Sequence, residues 1–300
     1  MKFLITSVEE SISKNNKPFI KAYAKSEKKE DITLYVWKRL DEFLKALESS
    51  RILEITANTA DQFPEVSSFE ITTGDPSMFV ETAFVSDEYA DELLTKILSF
   101  ITEPEYVSLN ERLFAKGSDI RKKFITFPAA KGHHHALRGG LLLHTYEVLQ
   151  FVSMVANNPT YSENVDKQDL LEGALLHDIG KIKDYLFDGY AIEYSPNITL
   201  GSHLSTGCEF IVKYADNPDS PRMETVKHII RSHHLLPEWG AVAKPATREA
   251  VLVFFGDYYS MIQAKSLSAE YDEHGIGKVG YDTFIDIKKA FGGVKDESAS

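Results

Sequence analysis

Five histidines and two aspartates between positions 144 and 257 stand where apolar helices would otherwise carry Leu or Val: His144, His177 with Asp178, His203, His233 with His234, and Asp257. The densest case is Leu170-Leu171-Glu172-Gly173-Ala174-Leu175-Leu176-His177-Asp178-Ile179-Gly180-Lys181, an otherwise apolar stretch with adjacent metal-type side chains. An imidazole and a carboxylate taken out of water are costly unless each finds a partner. Alone, the pair could equally be a core histidine beside a capping aspartate. Repeated over several apolar segments, such groups are more economically explained by one shared site than by separate satisfied accidents. Five imidazoles and two carboxylates can hold two divalent cations, with one carboxylate bridging them, and such a site supports attack of an activated water on a phosphodiester.

These residues need helices to carry them. Apolar positions at Leu170, Leu171, Ala174, Leu175 and Ile179 recur near the helical period, and Asp166 or Asp169 can cap the start, so His177 and Asp178 are expected on a helix ending at Gly180. Further helices are expected over 87–100, 106–116 with Pro104 at its start, 140–156, 203–214, 223–232, 246–264 and 281–290. Residues 1–73 read differently. Short β-like runs at 3–8, 19–24, 32–37, 52–56 and 68–72 surround one short helix at 40–47, a pattern that fits a small Greek-key barrel of the oligonucleotide-binding type. The expected fold is therefore α+β in two domains: the barrel over 1–74, a helical linker over 75–127, an all-α domain over 128–294, and a disordered tail over 295–300. On the barrel, Phe19, Tyr23, Tyr35 and Trp37 are candidates to stack on bases, with core packing as the competing use.

Composition narrows the classes. The 300 residues carry 33 Lys plus Arg against 45 Asp plus Glu, a formal charge of −12, which argues against indiscriminate attraction to a polyanion. A nucleic-acid substrate would need a local basic site, and Arg112, Lys116, Arg121, Lys122, Lys123, Lys131 and Arg138 form such a stretch, with a solvated helix face as the plainer alternative. Neither a leader nor an apolar run of membrane-spanning length is evident, so a cytoplasmic, non-membrane protein is expected. The single cysteine, Cys208, forms no internal disulfide and reads as a small buried side chain.

The order His, His-Asp, His, His-His, Asp resembles the HD-domain metal-dependent phosphohydrolase superfamily in its two-metal version. Pro128-Ala129-Ala130-Lys131, His134-His135, Gly139-Gly140-Leu141-Leu142-Leu143-His144-Thr145, Leu175-Leu176-His177-Asp178-Ile179-Gly180-Lys181 and Ser232-His233-His234 resemble more closely the bacterial 3′-to-5′ exoribonucleases of the YhaM type, which join an oligonucleotide-binding barrel to an HD domain. The resemblance implies one metal held by His144, His177, Asp178 and Asp257, and a second sharing Asp178 and adding His203, His233 and His234. Manganese is the first choice, with iron, cobalt or zinc as alternatives. Leu143 departs from the family, which usually has an acidic residue before the first ligand histidine.

Around that centre, Asp178, Lys181, His135 and Arg138 are the expected catalytic residues. Lys181 can reach the phosphate as a point charge or simply complement a helix C-terminus. His134, His135 and Arg138 can contact the scissile phosphate or protonate the leaving oxygen. Lys131, His134, Phe19, Tyr35 and Trp37 are the expected nucleic-acid contacts, and Trp239 after the His-His pair is a weaker one. The function expected is a 3′-to-5′ exonuclease on single-stranded RNA, with DNA as a further substrate and a homo-oligomer as a possible form. The competing readings are an HD phosphohydrolase of a small nucleotide or cyclic dinucleotide, and a non-catalytic nucleic-acid-binding protein with a structural metal.

Overall fold

Apolar residues at alternate positions, such as Phe3 and Ile5 or Ile20, Ala22 and Ala24, turn one face of the first strands into a core. The computed structural model describes residues 1–74, 78–132, 135–189, 191–287 and 289. It contains β1 (Lys2–Ile12), β2 (Pro18–Ser26), β3 (Asp31–Val36), α1 (Leu40–Ser49), β4 (Ile52–Ala57) and β5 (Val66–Ile71). These strands form one antiparallel sheet in the order β3-β2-β1-β4-β5. Phe3, Ile5, Ile20, Ala22, Leu34, Leu53 and Ile55 point into one core, which α1 covers with Phe43 and Ala46. Leu4, next to Phe3 and therefore on the opposite face, packs instead with Ile52, Phe79 and Val80. The α+β two-part architecture is as expected, but the five strands do not close into the Greek-key barrel. Edge strands β3 and β5 meet only at an isolated parallel bridge between Tyr35 and Glu65, where the Tyr35 N–H donates to Pro64 O at 2.8 Å. One step back along this pairing the donor to Thr33 O would be residue 64, and Pro64 has no N–H, so the ladder does not extend in that direction and the sheet stays open.

After this sheet come α2 (Asp87–Leu98), α3 (Pro104–Leu113), α4 (Asp119–Thr126), α5 (Gly140–Ala156), α6 (Pro159–Ser162), α7 (Lys167–Leu176) and α8 (Lys181–Asp184). A hairpin of β6 (Tyr185–Phe187) and β7 (Ile192–Tyr194) follows, then α9 (Asn197–Leu200), α10 (Ser202–Tyr214), α11 (Pro221–Ser232), α12 (Arg248–Ser268) and a hairpin of β8 (Ile276–Val279) and β9 (Asp282–Ile285). The chain divides into two units: Met1–Ala83 with Leu186–Glu193, and Phe84–Tyr185 with the residues from Tyr194 onward. Side chains of Ser86, Ser118, Asp166, Ser220 and Thr247 accept the free N–H groups at the starts of α2, α4, α7, α11 and α12. Each such cap is worth about 1 kcal/mol. Helix α5 packs on α7 and α12, α7 on α11, and α10 on α11.

Three expectations change here. The second region is not all-α, because two hairpins interrupt the helices. Over 281–285 the expected helix is a turn and strand: Gly280 takes φ +61° at the turn and β-branched Ile276, Val279, Thr283 and Ile285 flank it. Finally, the basic stretch from Arg112 to Arg138 contains α4 and is largely consumed internally. Arg112 binds Asp216, buried Arg121 binds Asp91, Lys123 pairs with Asp119, and Arg138 pairs with Asp87. The expected tail at 295–300 and the Asp75-Pro76 boundary lie outside the described residues.

One buried acid sets a pH dependence. Glu172 on α7 is fully buried, and its only bonded oxygen accepts from Asn110 Nδ2 at 2.8 Å. Burial raises its carboxyl to about 8, with the Asn110 bond only partly offsetting it. The neutral form is thus the one the fold favours. Its contribution is complete below the unfolded value of about 4.5 and is lost as pH rises through about 8. Glu172→Gln is expected to flatten chemical-denaturation stability between pH 5 and 9, gaining on the order of a few kcal/mol over the native chain at pH 9. Parallel pH profiles for the two proteins would refute this.

Candidate metal centre

Helix α7 stops at Leu176, so His177 and Asp178 are not on it, contrary to the expectation that the helix runs to Gly180. From there the N–H groups of Ile179, Lys181, Ile182 and Lys183 bond three residues back, to Leu176, Asp178, Ile179 and Gly180. This tighter winding continues into α8. Gly180 is required by close approach: a Cβ there would lie 2.0 Å from the His203 carbonyl oxygen. Without a side chain at 180, the start of α10 is brought directly against the His177-Asp178 turn.

Two groups of three donors result. His144, His177 and Asp257 form one, and His203, His233 and His234 the other, the donor atoms of each within 4.8 Å of one another. Asp178 lies between them. Its Oδ2 is 3.3 Å from His144 Nε2 and 3.5 Å from His177 Nε2, while its Oδ1 is 3.7 Å from His203 Nε2 and 3.5 Å from His233 Nε2. His144 Nε2 is also 3.1 Å from Asp257 Oδ1. Donors about 2.1 Å from a common ion stand roughly 3 to 3.5 Å apart, which is the spacing seen.

The far nitrogen of each ring explains the aim. Nδ1 of His177 meets Ala174 O at 2.8 Å, and Nδ1 of His233 meets Ile230 O at 2.9 Å. Nδ1 of His203 meets Asp184 Oδ2 at 3.0 Å, and Nδ1 of His144 meets Ser260 Oγ at 2.9 Å. A carbonyl or carboxylate can only accept, so the Nδ1 atoms of His177, His233 and His203 carry the proton and each Nε2 lone pair faces inward. Buried Asp178 Oδ1 and His233 Nε2 have no hydrogen-bond partner. Two inward Nε2 atoms, of His144 and His177, approach to 3.2 Å. Such acceptors repel unless a proton or cation lies beside them, so the donor set fits divalent metal.

Charge supports the same arrangement. Burial would raise the Asp178 carboxyl, but Lys181 and His177 hold it well below the usual carboxylate range. Burial lowers His144, yet Asp178 and Asp257 more than reverse that, to about 9. His233 is lowered by burial, and His234 goes down to about 3 through burial and its neighbours His233 and His203. His233 and His234 are therefore neutral imidazoles, the form that binds metal.

The other expected site residues are placed as follows. Lys181 Nζ donates to Asp178 Oδ2 at 2.6 Å, so its charge is spent on the central carboxylate. Buried His135 bonds Glu147 Oε2 at 3.1 Å, with its ring centroid 5.3 Å from that of His144. Arg138 is held by Asp87 at 2.6 Å, and Lys131 Nζ sits 4.7 Å above the Tyr194 ring. His134, with His133, lies outside the described residues. On the sheet, Phe19 stacks on Trp37 at 4.4 Å and on Tyr35 at 6.1 Å, and the exposed Phe63 meets Tyr35 edge-on. Phe19 is nearly buried in this cluster, which leaves Tyr35, Trp37 and Phe63 with surface to offer. Tyr23 bonds Glu9 through its hydroxyl.

Sequence reasoning passed over Asp184, Glu147 and Ser260. Asp184 follows no periodic pattern. For the other two a signal existed: Glu147 is three residues after His144 and Ser260 three after Asp257, one helical turn in each case.

Residues 141–262 match the family model of the HD domain. The match supports the HD-domain metal-dependent phosphohydrolase superfamily and indicates a metal-dependent hydrolase in general. No solved structure matches the chain. Among the described residues, no helix is long and apolar enough to cross a membrane.

Proposed function

From the HD match and the donor geometry within it, we propose that this chain is a phosphodiesterase using two divalent cations, and that its substrate is single-stranded RNA shortened from the 3′ end. The observation that carries the chemistry is Asp178, which turns one oxygen toward each group of three donors. Divalent cations in such a site lower the pKa of water and neutralise charge on a phosphoryl group. His144, His177, Asp178 and Asp257 would hold one, and Asp178, His203, His233 and His234 the other. Lys181, bonded to Asp178, keeps that carboxylate ionised and fixed in rotation. Asp184 orients His203 through both its backbone N–H and its Nδ1. Imidazole-rich sites with carboxylates suit manganese, iron, cobalt or zinc better than magnesium, and the resemblance to the exoribonuclease family makes manganese the first choice.

The strand-binding part of the reading is supported by the sheet. Its strand order and the Tyr35 to Glu65 bridge are those of an oligonucleotide-binding sheet left open, and Tyr35, Trp37 and Phe63 group their rings on it. With much of the basic stretch tied up in ion pairs, stacking has to supply more of the affinity. Trp37→Ala and Phe63→Ala are each expected to weaken single-stranded RNA binding by about 1–3 kcal/mol. Fluorescence anisotropy with a labelled oligonucleotide reads this directly, and unchanged binding in both would remove the sheet from the substrate path.

The deciding experiment is digestion of a 5′-labelled single-stranded RNA with added manganese. A ladder of progressively shortened labelled products is expected. Release of a labelled mononucleotide at once would reverse the polarity, and hydrolysis of free nucleotides with the strand left intact would favour the small-nucleotide phosphohydrolase.

A further inference from the structure

We propose that Glu147 and Ser260 are positioning residues for the His144 side of this centre, and that the one carboxylate of Glu147 decides which nitrogen carries the proton in both His144 and His135. The inference rests on the metal-centre reading above. Helices α5 and α12 pack together, each carrying a donor of the first group and, one turn later, a polar side chain: His144 with Glu147, Asp257 with Ser260. Those two polar side chains join behind the donors. His144 Nδ1 lies 2.9 Å from Ser260 Oγ, and Ser260 Oγ lies 2.6 Å from Glu147 Oε2. The same Oε2 is 3.1 Å from His135 Nε2. His144 and Ser260 are sealed from water, and His135 nearly so.

Direction follows from valence. An ionised carboxylate can only accept, so the Ser260 hydroxyl has to spend its proton on Glu147. The serine oxygen then offers only lone pairs to His144, which must answer with an Nδ1–H. Nε2 is left with its lone pair toward Asp178 and Asp257, where a metal-type donor is needed. The same reasoning at the other branch makes His135 Nε2 the protonated nitrogen. Both proton positions thus follow from one acidic side chain, which reaches His144 through Ser260 and His135 directly.

The fold spends conformational energy to keep His135 at this carboxylate. His135 has φ +57°, a left-handed conformation that costs a side-chain-bearing residue on the order of 1 kcal/mol. Its carbonyl accepts from Ala129 N at 3.1 Å and lies so close to α5 that a Cβ at Gly140 would stand 2.1 Å from the oxygen. A loop with no fixed task for its histidine would have no use for this constraint.

The test compares native protein, Glu147→Gln, Ser260→Ala, Ser260→Thr and His177→Ala. Manganese affinity is read by calorimetry, and histidine protonation by nitrogen-15 NMR of the protein loaded with diamagnetic zinc. Glutamine can donate as well as accept, so it removes the direction of the relay while keeping its shape. Glu147→Gln and Ser260→Ala are expected to bind manganese about 10–100-fold more weakly, and Ser260→Thr, which keeps the hydroxyl, to bind close to native. In the native zinc form His144 should show a protonated Nδ1 and a metal-shifted Nε2. Native affinity in folded Glu147→Gln and Ser260→Ala, with His177→Ala unable to bind, would overturn this inference and leave the metal centre standing. Native affinity in His177→Ala would overturn both. Should neither relay variant fold, the native spectrum decides alone: metal on His144 Nδ1 defeats the proposal.

Discussion

Asp178→Asn is expected to abolish metal-dependent hydrolysis, with no recovery on raising the metal concentration within a soluble range. The side chain keeps its size, so packing is unchanged, yet the charge between the two donor groups is gone. Asp178 lies within 3.7 Å of donors from both groups, so each of them loses an anionic neighbour at once. Losing several kcal/mol of charge stabilisation at the reacting phosphate corresponds to at least ~10³-fold in rate, at tenfold per 1.36 kcal/mol. A second consequence separates this from simple misfolding. Half-buried Lys181 loses the carboxylate that holds its proton, and leaving a largely buried ion pair half-made costs up to about 3–5 kcal/mol. The variant should therefore melt lower than native in the absence of metal and fail to gain stability when manganese is added. Residual cleavage within tenfold of native in a folded Asp178→Asn protein would place the chemistry elsewhere.

Gly180→Ala should be nearly as damaging although it removes nothing. The added methyl would lie 2.0 Å from the His203 oxygen and 2.6 Å from its carbonyl carbon and Cα. These are backbone atoms, so no side chain can swing aside, and either the 177–180 turn or the start of α10 must move. Overpacking against side chains costs about 1–3 kcal/mol, and backbone obstruction belongs at or above the top of that range. The displacement falls on His203 itself, whose N–H and Nδ1 both bond Asp184. Thermal unfolding should show the stability loss, and a manganese titration should show selective weakening of the sites that include His203. Native-like melting with one full complement of metal would mean that the contact between α10 and the turn relaxes freely, and the account of Gly180 would be wrong.

Legibility in the sequence divided along a physical line. Residue type is a local fact, and the cost of burying His144, His177, Asp178, His203, His233, His234 and Asp257 among apolar neighbours is felt within each segment. That is why the candidate set could be written down before any geometry was known. Helices with a serine cap at the start, such as α2 and α11, were readable for the same reason. Convergence was not local. It depends on α5, α7, α11 and α12 packing face to face and on Gly180 admitting the backbone of His203, and neither is carried by any one segment. The turn that presents His177 and Asp178 departs from helix because its N–H groups find acceptors one residue nearer, a choice periodicity could not foresee. The basic stretch misled because charge is visible in sequence while its partners, Asp87, Asp91 and Asp216, lie far along the chain. The N–H that Pro64 lacks was visible in sequence, but only the pairing of Tyr35 with Glu65 showed that it stops the ladder from extending toward Thr33. Composition and pattern determined which groups had to be satisfied; tertiary packing alone decided by which partners, because a polar group taken out of water accepts whatever the rest of the chain brings to it.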